Sequence, residues 1–270
     1  MLRAADLFFA YGGRSPVLRG VSMEVPDGGF VGILGPNGSG KTTLLRALAG
    51  VIRPARGSVR LDGQDFTSIP RQTLARRMAV VPQETHLAFD YTVLEVVMMG
   101  RYPHLGTFEI EGPEDFGIAR EALAATGTAD LEDRPFDSLS GGEKQRVIVA
   151  AALAQITAAE GNGILLLDEP TVALDLAYQL ELGRLLLELQ HRIPIAIAVS
   201  THDLNFAAGL CRSLVLLKNG SVLAAGPTDE VLTAANIRTL YEVDAEVTRH
   251  PATGRMMVVP IRRISAAGQE

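Results

Sequence analysis

Gly35-Pro-Asn-Gly-Ser-Gly-Lys-Thr42 is the stretch of this 270-residue chain that decides its fold. It matches G-x-x-x-x-G-K-[ST] at every position, and it lies between the apolar run Phe30–Leu34 and a segment of good helix formers. Glycines let consecutive backbone N–H groups curl around phosphate oxygens, and the following helix N-terminus favours an anion. The sequence therefore predicts a strand, a phosphate-binding loop and a helix. The predicted phosphate contacts are Gly35, Pro36, Asn37, Gly38, Ser39, Gly40, Lys41, Thr42 and Thr43, with the Thr42 hydroxyl on Mg²⁺.

A second chemical element follows a continuous apolar run at 164–167, which suits a buried parallel strand. Asp168 and Glu169 come directly after it, where open α/β sheets bind ligands. Asp168 suits Mg²⁺ coordination through water, and Glu169 can polarise a water for attack on a terminal phosphate. Alone, an acidic pair after a strand is usually the start of a solvated loop. Downstream of a phosphate-binding loop, the catalytic interpretation is favoured.

Composition indicates an ordinary globular protein, with 47% hydrophobic and 21% charged residues. A net charge of −6 excludes the basic surface expected of a nucleic-acid-binding protein. Cys211 is the only cysteine, and a small buried side chain is the favoured interpretation for it. We find no export signal and no apolar run of about 18 residues that could span a membrane. The sequence thus predicts a soluble protein that reaches a membrane only through partners.

Leu139-Ser-Gly-Gly-Glu-Lys-Gln-Arg146 is the most telling motif of the middle region. Ser140 and Glu143 fit an S-x-x-E capping box at a helix start. That structural explanation leaves out Gly141 and Gly142, which are poor first-turn residues unless a phosphate approaches the backbone. The segment resembles the signature motif of ABC ATPases, in which Ser140, Gly141 and Gly142 would meet the ATP that is bound to the other subunit.

Further residues resemble elements of the same family, in the expected order. Tyr11 is similar to the aromatic that stacks on adenine, although a core aromatic at a strand end is the alternative. Gln83 is similar to the glutamine that touches Mg²⁺ and the attacking water. Asp175, in Ala173-Leu-Asp175, resembles the D-loop of the dimer interface, and His202 resembles the switch histidine at the γ-phosphate. Alone, Gln83 would be a loop residue and His202 a capping or core histidine.

The resemblance implies an α/β fold: a P-loop NTPase (RecA-like) core with a mostly parallel sheet, an antiparallel β subdomain and a helical insertion. Helical patterns at 92–99, 113–126 and 140–155 fit that insertion. We expect a single nucleotide-binding domain over 1–270. Its ATP-binding core is predicted at about 1–86 and 156–225, its helical subdomain at about 87–155, and a C-terminal extension at about 226–270. The implied cofactors are ATP and Mg²⁺, and the implied active form is a homodimer that sandwiches ATP.

Four segments resemble the ATPases of iron-siderophore, haem and vitamin B12 importers: Gly100-Arg-Tyr-Pro-His104, Tyr178-Gln179, His202-Asp203-Leu204-Asn205 and Thr253-Gly254. That likeness implies transmembrane permease subunits, an extracytoplasmic binding protein, no nucleic acid, and a peripheral location on the cytoplasmic face of the inner membrane. Residues 100–104 lie just beyond a predicted helix of the insertion, which would present them on the surface, and the likeness implies that this insertion receives the permease. An ordinary polar loop is the alternative for that segment.

Some features depart from the family, and rival functions stay open. Val172 replaces the usual serine before the D-loop, Ala151 replaces an arginine found in many members, and residues 157–163 form a slightly longer loop. An exporter ATPase carries the same motifs. A soluble ABC ATPase acting on DNA or ribosomes is disfavoured, because long coiled coils and a second cassette are absent from the sequence. A small-molecule kinase is disfavoured by the signature motif.

Overall fold

The computed structural model describes residues 1–13, 15–85, 87–156, 162–172 and 174–264. The chain forms two compact units. The first unit comprises 1–2, 26–29 and 60–198, and the second comprises 3–25, 30–59 and the chain from 199 onward. The predicted subdivision into a core, a helical subdomain and an extension stays a prediction.

The regular elements follow in chain order. The strands are β1 (Leu2–Phe9), β2 (Leu18–Val25), β3 (Phe30–Leu34), β4 (Arg56–Leu61), β5 (Gln64–Asp65), β6 (Met78–Val81), β7 (Gly163–Asp168), β8 (Ile195–Thr201), β9 (Ser213–Lys218), β10 (Ser221–Pro227), β11 (Val243–Arg249) and β12 (Met256–Arg263). The α-helices are α1 (Lys41–Leu48), α2 (Arg71–Arg77), α3 (Val93–Met98), α4 (Pro113–Ala125), α5 (Gly141–Ile156), α6 (Leu176–Arg192), α7 (Leu204–Leu210), α8 (Thr228–Val231) and α9 (Ala234–Tyr241).

The first unit combines a parallel strand pair with a helical layer. β6 and β7 run parallel, with Val81 opposite Leu167. Every residue of β7 is buried, which explains its unbroken apolar run. The helices α3, α4 and α5 pack against one another, and α5 also packs against β6. The strand that ends at Asp168 is therefore packed in apolar surroundings.

The second unit is built on β3, which is buried along its whole length and pairs in parallel with β9. β9 and β10 form an antiparallel hairpin whose turn residues Asn219 and Gly220 both have positive φ. An Asn-Gly pair between two strands is the turn sequence that favours such a hairpin. In the same unit β1 lies between β2 and β4, and β11 pairs antiparallel with β12. Parallel pairing in both units, together with these antiparallel hairpins and the helices, confirms the predicted α/β class.

The helices predicted in the middle region are confirmed at α3, α4 and α5, within one or two residues at each end. Patterning did not predict α2, or the 3₁₀ helix at Met99–His104. The loop predicted at 157–163 falls mostly on 157–161, outside the described residues. Among the described residues, no helix is both long and apolar enough to cross a membrane.

Candidate functional site

The predicted phosphate-binding loop lies in the second unit, between β3 and α1. Lys41 is buried, and its Nζ donates hydrogen bonds to the carbonyl oxygens of Gly35 (2.8 Å) and Pro36 (3.3 Å). The Ser39 N–H donates to the Pro36 carbonyl at 3.1 Å, which closes the turn. Gly40 precedes the helix at φ 104°, a conformation that side-chain-bearing residues rarely adopt. The loop therefore curls around its own lysine, ahead of the N-terminus of α1.

Ser39 supplies an independent indication that this loop holds a polar ligand. Its side chain is only 2% exposed, and its Oγ has no hydrogen-bond partner among the described residues. A buried polar atom of this kind costs free energy unless a partner satisfies it, and such atoms in native proteins call for an explanation. A phosphate oxygen held by the loop would provide that partner.

Tyr11 is partly exposed beside the predicted phosphate loop. Its ring is 39% exposed and packs edge-on against Phe9, at 4.8 Å between ring centroids. Its hydroxyl lies 3.4 Å from Oγ1 of Thr43, in the first turn of α1. The exposed ring thus lies beside the predicted phosphate loop, where an adenine could stack on it.

His202 follows the last residue of β8, and its side chain is exposed. The turn after it is tightly bonded, because the Asp203 N–H donates to Thr201 Oγ1 at 3.0 Å. The Asp203 carboxylate then caps α7 by accepting the N–H groups of Asn205 and Phe206, each at 2.9 Å. The local sequence therefore presents the imidazole on a short, fixed turn.

In the first unit, the strand register relates Gln83 to the two acidic residues. Val81 lies opposite Leu167, so Gln83 and Glu169 each come two residues beyond a paired position at the carboxyl ends of parallel strands. Asp168 and Glu169 are buried, whereas Gln83 is exposed. Glu169 has a φ of 46°, in the left-handed region that favours glycine. Backbone strain of this kind clusters at functional sites, which supports the role predicted for Glu169.

The signature segment forms the capping box predicted from its sequence. The Ser140 N–H donates to Glu143 Oε2 at 2.7 Å, and the Glu143 N–H donates to Ser140 Oγ at 3.3 Å. The hydrogen bond from the Ser140 backbone holds the pKa of Glu143 below its ordinary value. Gly142 has a packing reason that the sequence did not reveal: a Cβ there would lie 2.3 Å from Cδ1 of Tyr178. Phosphate approach is therefore not needed to explain this glycine.

The predicted D-loop residue Asp175 caps α6, since its Oδ1 accepts the Tyr178 N–H at 3.1 Å. Gln179, which had served only as a family marker, donates through its amide to the carbonyl oxygens of Leu174 (3.0 Å) and Thr171 (3.4 Å). These hydrogen bonds from Gln179 hold the D-loop against α6. Val172 is 49% exposed, and Ala173 lies outside the described residues.

The expectation that 100–104 lies on the surface is wrong for its first two residues. Arg101 is 4% exposed, and its guanidinium donates to Asp115 Oδ1 (3.0 Å) and to the Ala154 carbonyl (2.7 Å). Gly100 is buried as well, with the Ala151 carbonyl 2.2 Å from where a Cβ would lie. Only Tyr102 fits the expectation, at 57% exposed. The segment is buried because it caps the C-terminal end of α5, a tertiary contact without a local sequence signal.

Comparison with known proteins shows the family to which the chain belongs. The profile of the ABC transporter family matches residues 18–172. The chain is 44% identical to the hemin import ATP-binding protein HmuV of Gloeobacter violaceus, over 97% of this chain and 94% of that protein. It is 39% identical, with the same two coverages, to the ferric enterobactin transport ATP-binding protein FepC of Escherichia coli. It is 40% identical to the cobalamin import ATP-binding protein BtuD of Halobacterium salinarum, over 93% of this chain and 62% of that protein.

Solved structures show the same fold. An inward-facing metal-chelate type ABC transporter matches with a TM-score of 0.83 and 29% identity, over 97% of each chain. A dimeric bacterial ABC transporter cassette matches with a TM-score of 0.70 and 28% identity, over 84% of this chain and 99% of that one. These likenesses confirm the predicted P-loop NTPase fold.

The fold and the loop at 35–42 define a nucleotide-binding protein of the P-loop class. Within that class, the chain belongs to the ABC transporter family. It is an ATP-binding subunit and an ATPase, as the sequence predicted.

Proposed function

We propose that this chain is the ATP-hydrolysing subunit of an ABC importer, and that it powers the uptake of an iron-siderophore, haem or cobalamin. The observation that carries the proposal is the match, over 93–97% of the chain, to three ATP-binding proteins named for hemin, ferric enterobactin and cobalamin transport. An exporter ATPase is the alternative, with a soluble ABC ATPase less favoured. No relative among those three is named as an exporter.

Nucleotide binding is assigned to the second unit. In this proposal the backbone N–H groups of Gly38 and Gly40 donate to phosphate oxygens, and Lys41 places its positive charge on the terminal phosphates. Ser39 Oγ gains the partner that it lacks among the described residues, and the exposed ring of Tyr11 stacks on adenine. His202 contacts the γ-phosphate from the end of β8.

Hydrolysis is assigned to Glu169 and Gln83. Glu169 accepts a proton from a water whose oxygen attacks the γ-phosphorus, while the bond to the β-phosphate oxygen breaks and ADP leaves. Gln83 orients that water. Thr42, Gln83 and Asp168 would hold Mg²⁺, which supplies charge neutralisation at the β- and γ-phosphates. Three such groups suit an ion that keeps several waters and binds largely through substrate phosphates.

The phosphate loop and the signature segment are assigned to different ATP molecules, so a complete site needs a second copy of the chain. Gly141 and Gly142 begin α5 and Ser140 directly precedes it, and a helix N-terminus is a favourable place for phosphate. We assign them to the ATP held by the partner subunit, with Asp175 at the dimer interface. In this proposal, closure of the dimer drives transmembrane permease subunits that receive ligand from an extracytoplasmic binding protein. The chain then works as a peripheral subunit at the cytoplasmic face of the inner membrane.

Replacement of Glu169 by glutamine tests the hydrolytic assignment. Loss of the general base should lower ATP turnover by about 10²- to 10⁴-fold, because that is the usual contribution of a positioned base. ATP affinity should stay unchanged, and the variant should accumulate as an ATP-bound dimer by light scattering, with the permease present if the subunit alone stays monomeric. Glu188→Gln is the matched control, since Glu188 pairs with Arg184 on the outside of α6. Wild-type turnover in the Glu169 variant would refute the assignment.

A further inference from the structure

Asn205, three residues after His202, is bonded to the C-terminal hairpin in an unusual way. Its Nδ2 donates to the Val258 carbonyl at 3.2 Å, and its Oδ1 accepts the Val258 N–H at 2.8 Å. One side-chain amide thus satisfies both main-chain groups of a single strand residue. That is the pairing an adjacent strand would provide.

The geometry of β12 shows which edge Asn205 holds. Val258 lies opposite Val247 of β11 across the hairpin. Because the N–H and C=O of one strand residue point the same way, the bonded edge of Val258 faces away from β11. Asn205 therefore caps the outer edge of β12, and the Val258 side chain is buried at 2% exposure. These two hydrogen bonds of the Asn205 amide join the hairpin to α7.

The helix that carries Asn205 packs against β12 and β3, but it is short. α7 is seven residues long, and only Ala207 is fully buried. A helix of that length is unstable without tertiary support. Its N-terminus is continuous with the turn Thr201–His202–Asp203, in which Asp203 caps the helix and bonds back to Thr201. Movement of α7 would therefore be passed directly to His202.

We propose that Asn205 is a positioning residue for His202: it ties α7 to the C-terminal hairpin and so fixes the imidazole at the γ-phosphate. The inference rests on the role proposed above for His202. It also gives the hairpin of β11 and β12 a part in hydrolysis, although neither strand carries a residue assigned to the nucleotide.

The test compares Asn205→Ala with Asn236→Ala in the full-length protein. Asn236 is a matched control, since its Nδ2 also donates to a main-chain carbonyl of the same unit, that of Val231 at 2.7 Å. Removing these two hydrogen bonds should lower kcat by about 10-fold or more, because a displacement of the His202 side chain by about 1 Å can lower the rate by about 10²-fold. ATP affinity should be unchanged. Asn205→Asp keeps the acceptor for the Val258 N–H and should give an intermediate kcat, whereas Asn236→Ala should keep the wild-type kcat.

A double-mutant cycle with His202→Ala separates positioning from general loosening. If Asn205 acts through His202, adding Asn205→Ala to His202→Ala should change kcat by no more than about 2-fold. A full additive loss, or an Asn205→Ala protein with wild-type kcat, would overturn the proposal while leaving the role of His202 intact. An unchanged kcat in His202→Ala alone would instead overturn the proposed role of the histidine.

Discussion

Gly142 of the signature motif is constrained by packing within the chain as well as by its proposed contact with ATP. A Cβ at this position would lie 2.3 Å from Cδ1 and 2.6 Å from Cγ of Tyr178, which is far inside any observed contact. The aromatic ring belongs to α6, so packing within one subunit requires glycine at this position of the motif. The requirement holds whether or not a nucleotide is bound.

Replacing Gly142 by alanine should therefore destabilise the protein itself. We expect a loss of about 1–3 kcal/mol in the free energy of unfolding, the usual cost of overpacking, measured by urea denaturation. The cost should shrink when Tyr178→Ala is also present, because the clashing ring is then gone. Gly117→Ala in α4 is the control, since a Cβ there meets nothing within 4 Å. It should stabilise the helix by about 0.5–1 kcal/mol. A Gly142→Ala protein as stable as the wild type would contradict the packing explanation.

Helix starts were readable from the sequence because capping uses side chains only a few residues apart. Ser140 and Glu143 form the predicted box, and Thr92 and Glu95 form a second one. Strand ends were readable for a similar reason, since buried strands leave unbroken apolar runs before Gly35 and Asp168. These local signals located the predicted site residues along the chain.

The segments that patterning missed are held by distant partners. The main-chain oxygen of Pro103 accepts hydrogen bonds from Gln72 (2.9 Å) and Arg76 (2.8 Å) of α2. Gln155, at the end of α5, donates to the carbonyl oxygens of Ala75 (2.7 Å) and Met78 (2.9 Å). No periodicity encodes such bonds, because they join residues about 27–80 positions apart. The same limit hid the contact of Gly142 with Tyr178 and that of Asn205 with Val258.

His104 makes this junction sensitive to pH. Its Nε2 lies 2.7 Å from the Gln155 carbonyl, to which it donates, and burial lowers the pKa of its imidazole below the ordinary 6.5. Between the lowered pKa and 6.5 the unfolded chain binds more protons than the folded one, so stability rises with pH there. The contribution of His104 is therefore complete above 6.5 and is lost as pH falls through the folded pKa.

The corresponding measurement is urea denaturation of the wild type and of His104→Gln at pH 8.0 and 5.5. Glutamine does not titrate, so the stability advantage of the wild type over the variant should be smaller at pH 5.5. His191→Gln is the control, because His191 lies on α6 and its Nδ1 bonds to the Leu187 carbonyl of its own helix. An advantage of His104 that stays constant or grows at pH 5.5 would contradict this direction of the pH dependence.

At the scale of the whole molecule, the predicted site residues are divided between the two units. The second unit has the phosphate loop, Tyr11 and His202, and the first has Gln83, the acidic pair and the signature. The sequence predicted their order along the chain. The transported ligand could not be predicted from the sequence, because every predicted site residue is assigned to nucleotide, Mg²⁺ or the dimer interface.

Uptake in cells that lack this protein tests the importer proposal most directly. Transport of ferric siderophore, haem and cobalamin is measured in the deletion strain and after complementation with the wild type, Glu169→Gln or Asn236→Ala. The proposal predicts selective loss of one of the three, restored by the wild type and by Asn236→Ala and not by Glu169→Gln. Unchanged uptake of all three in the deletion strain would contradict it.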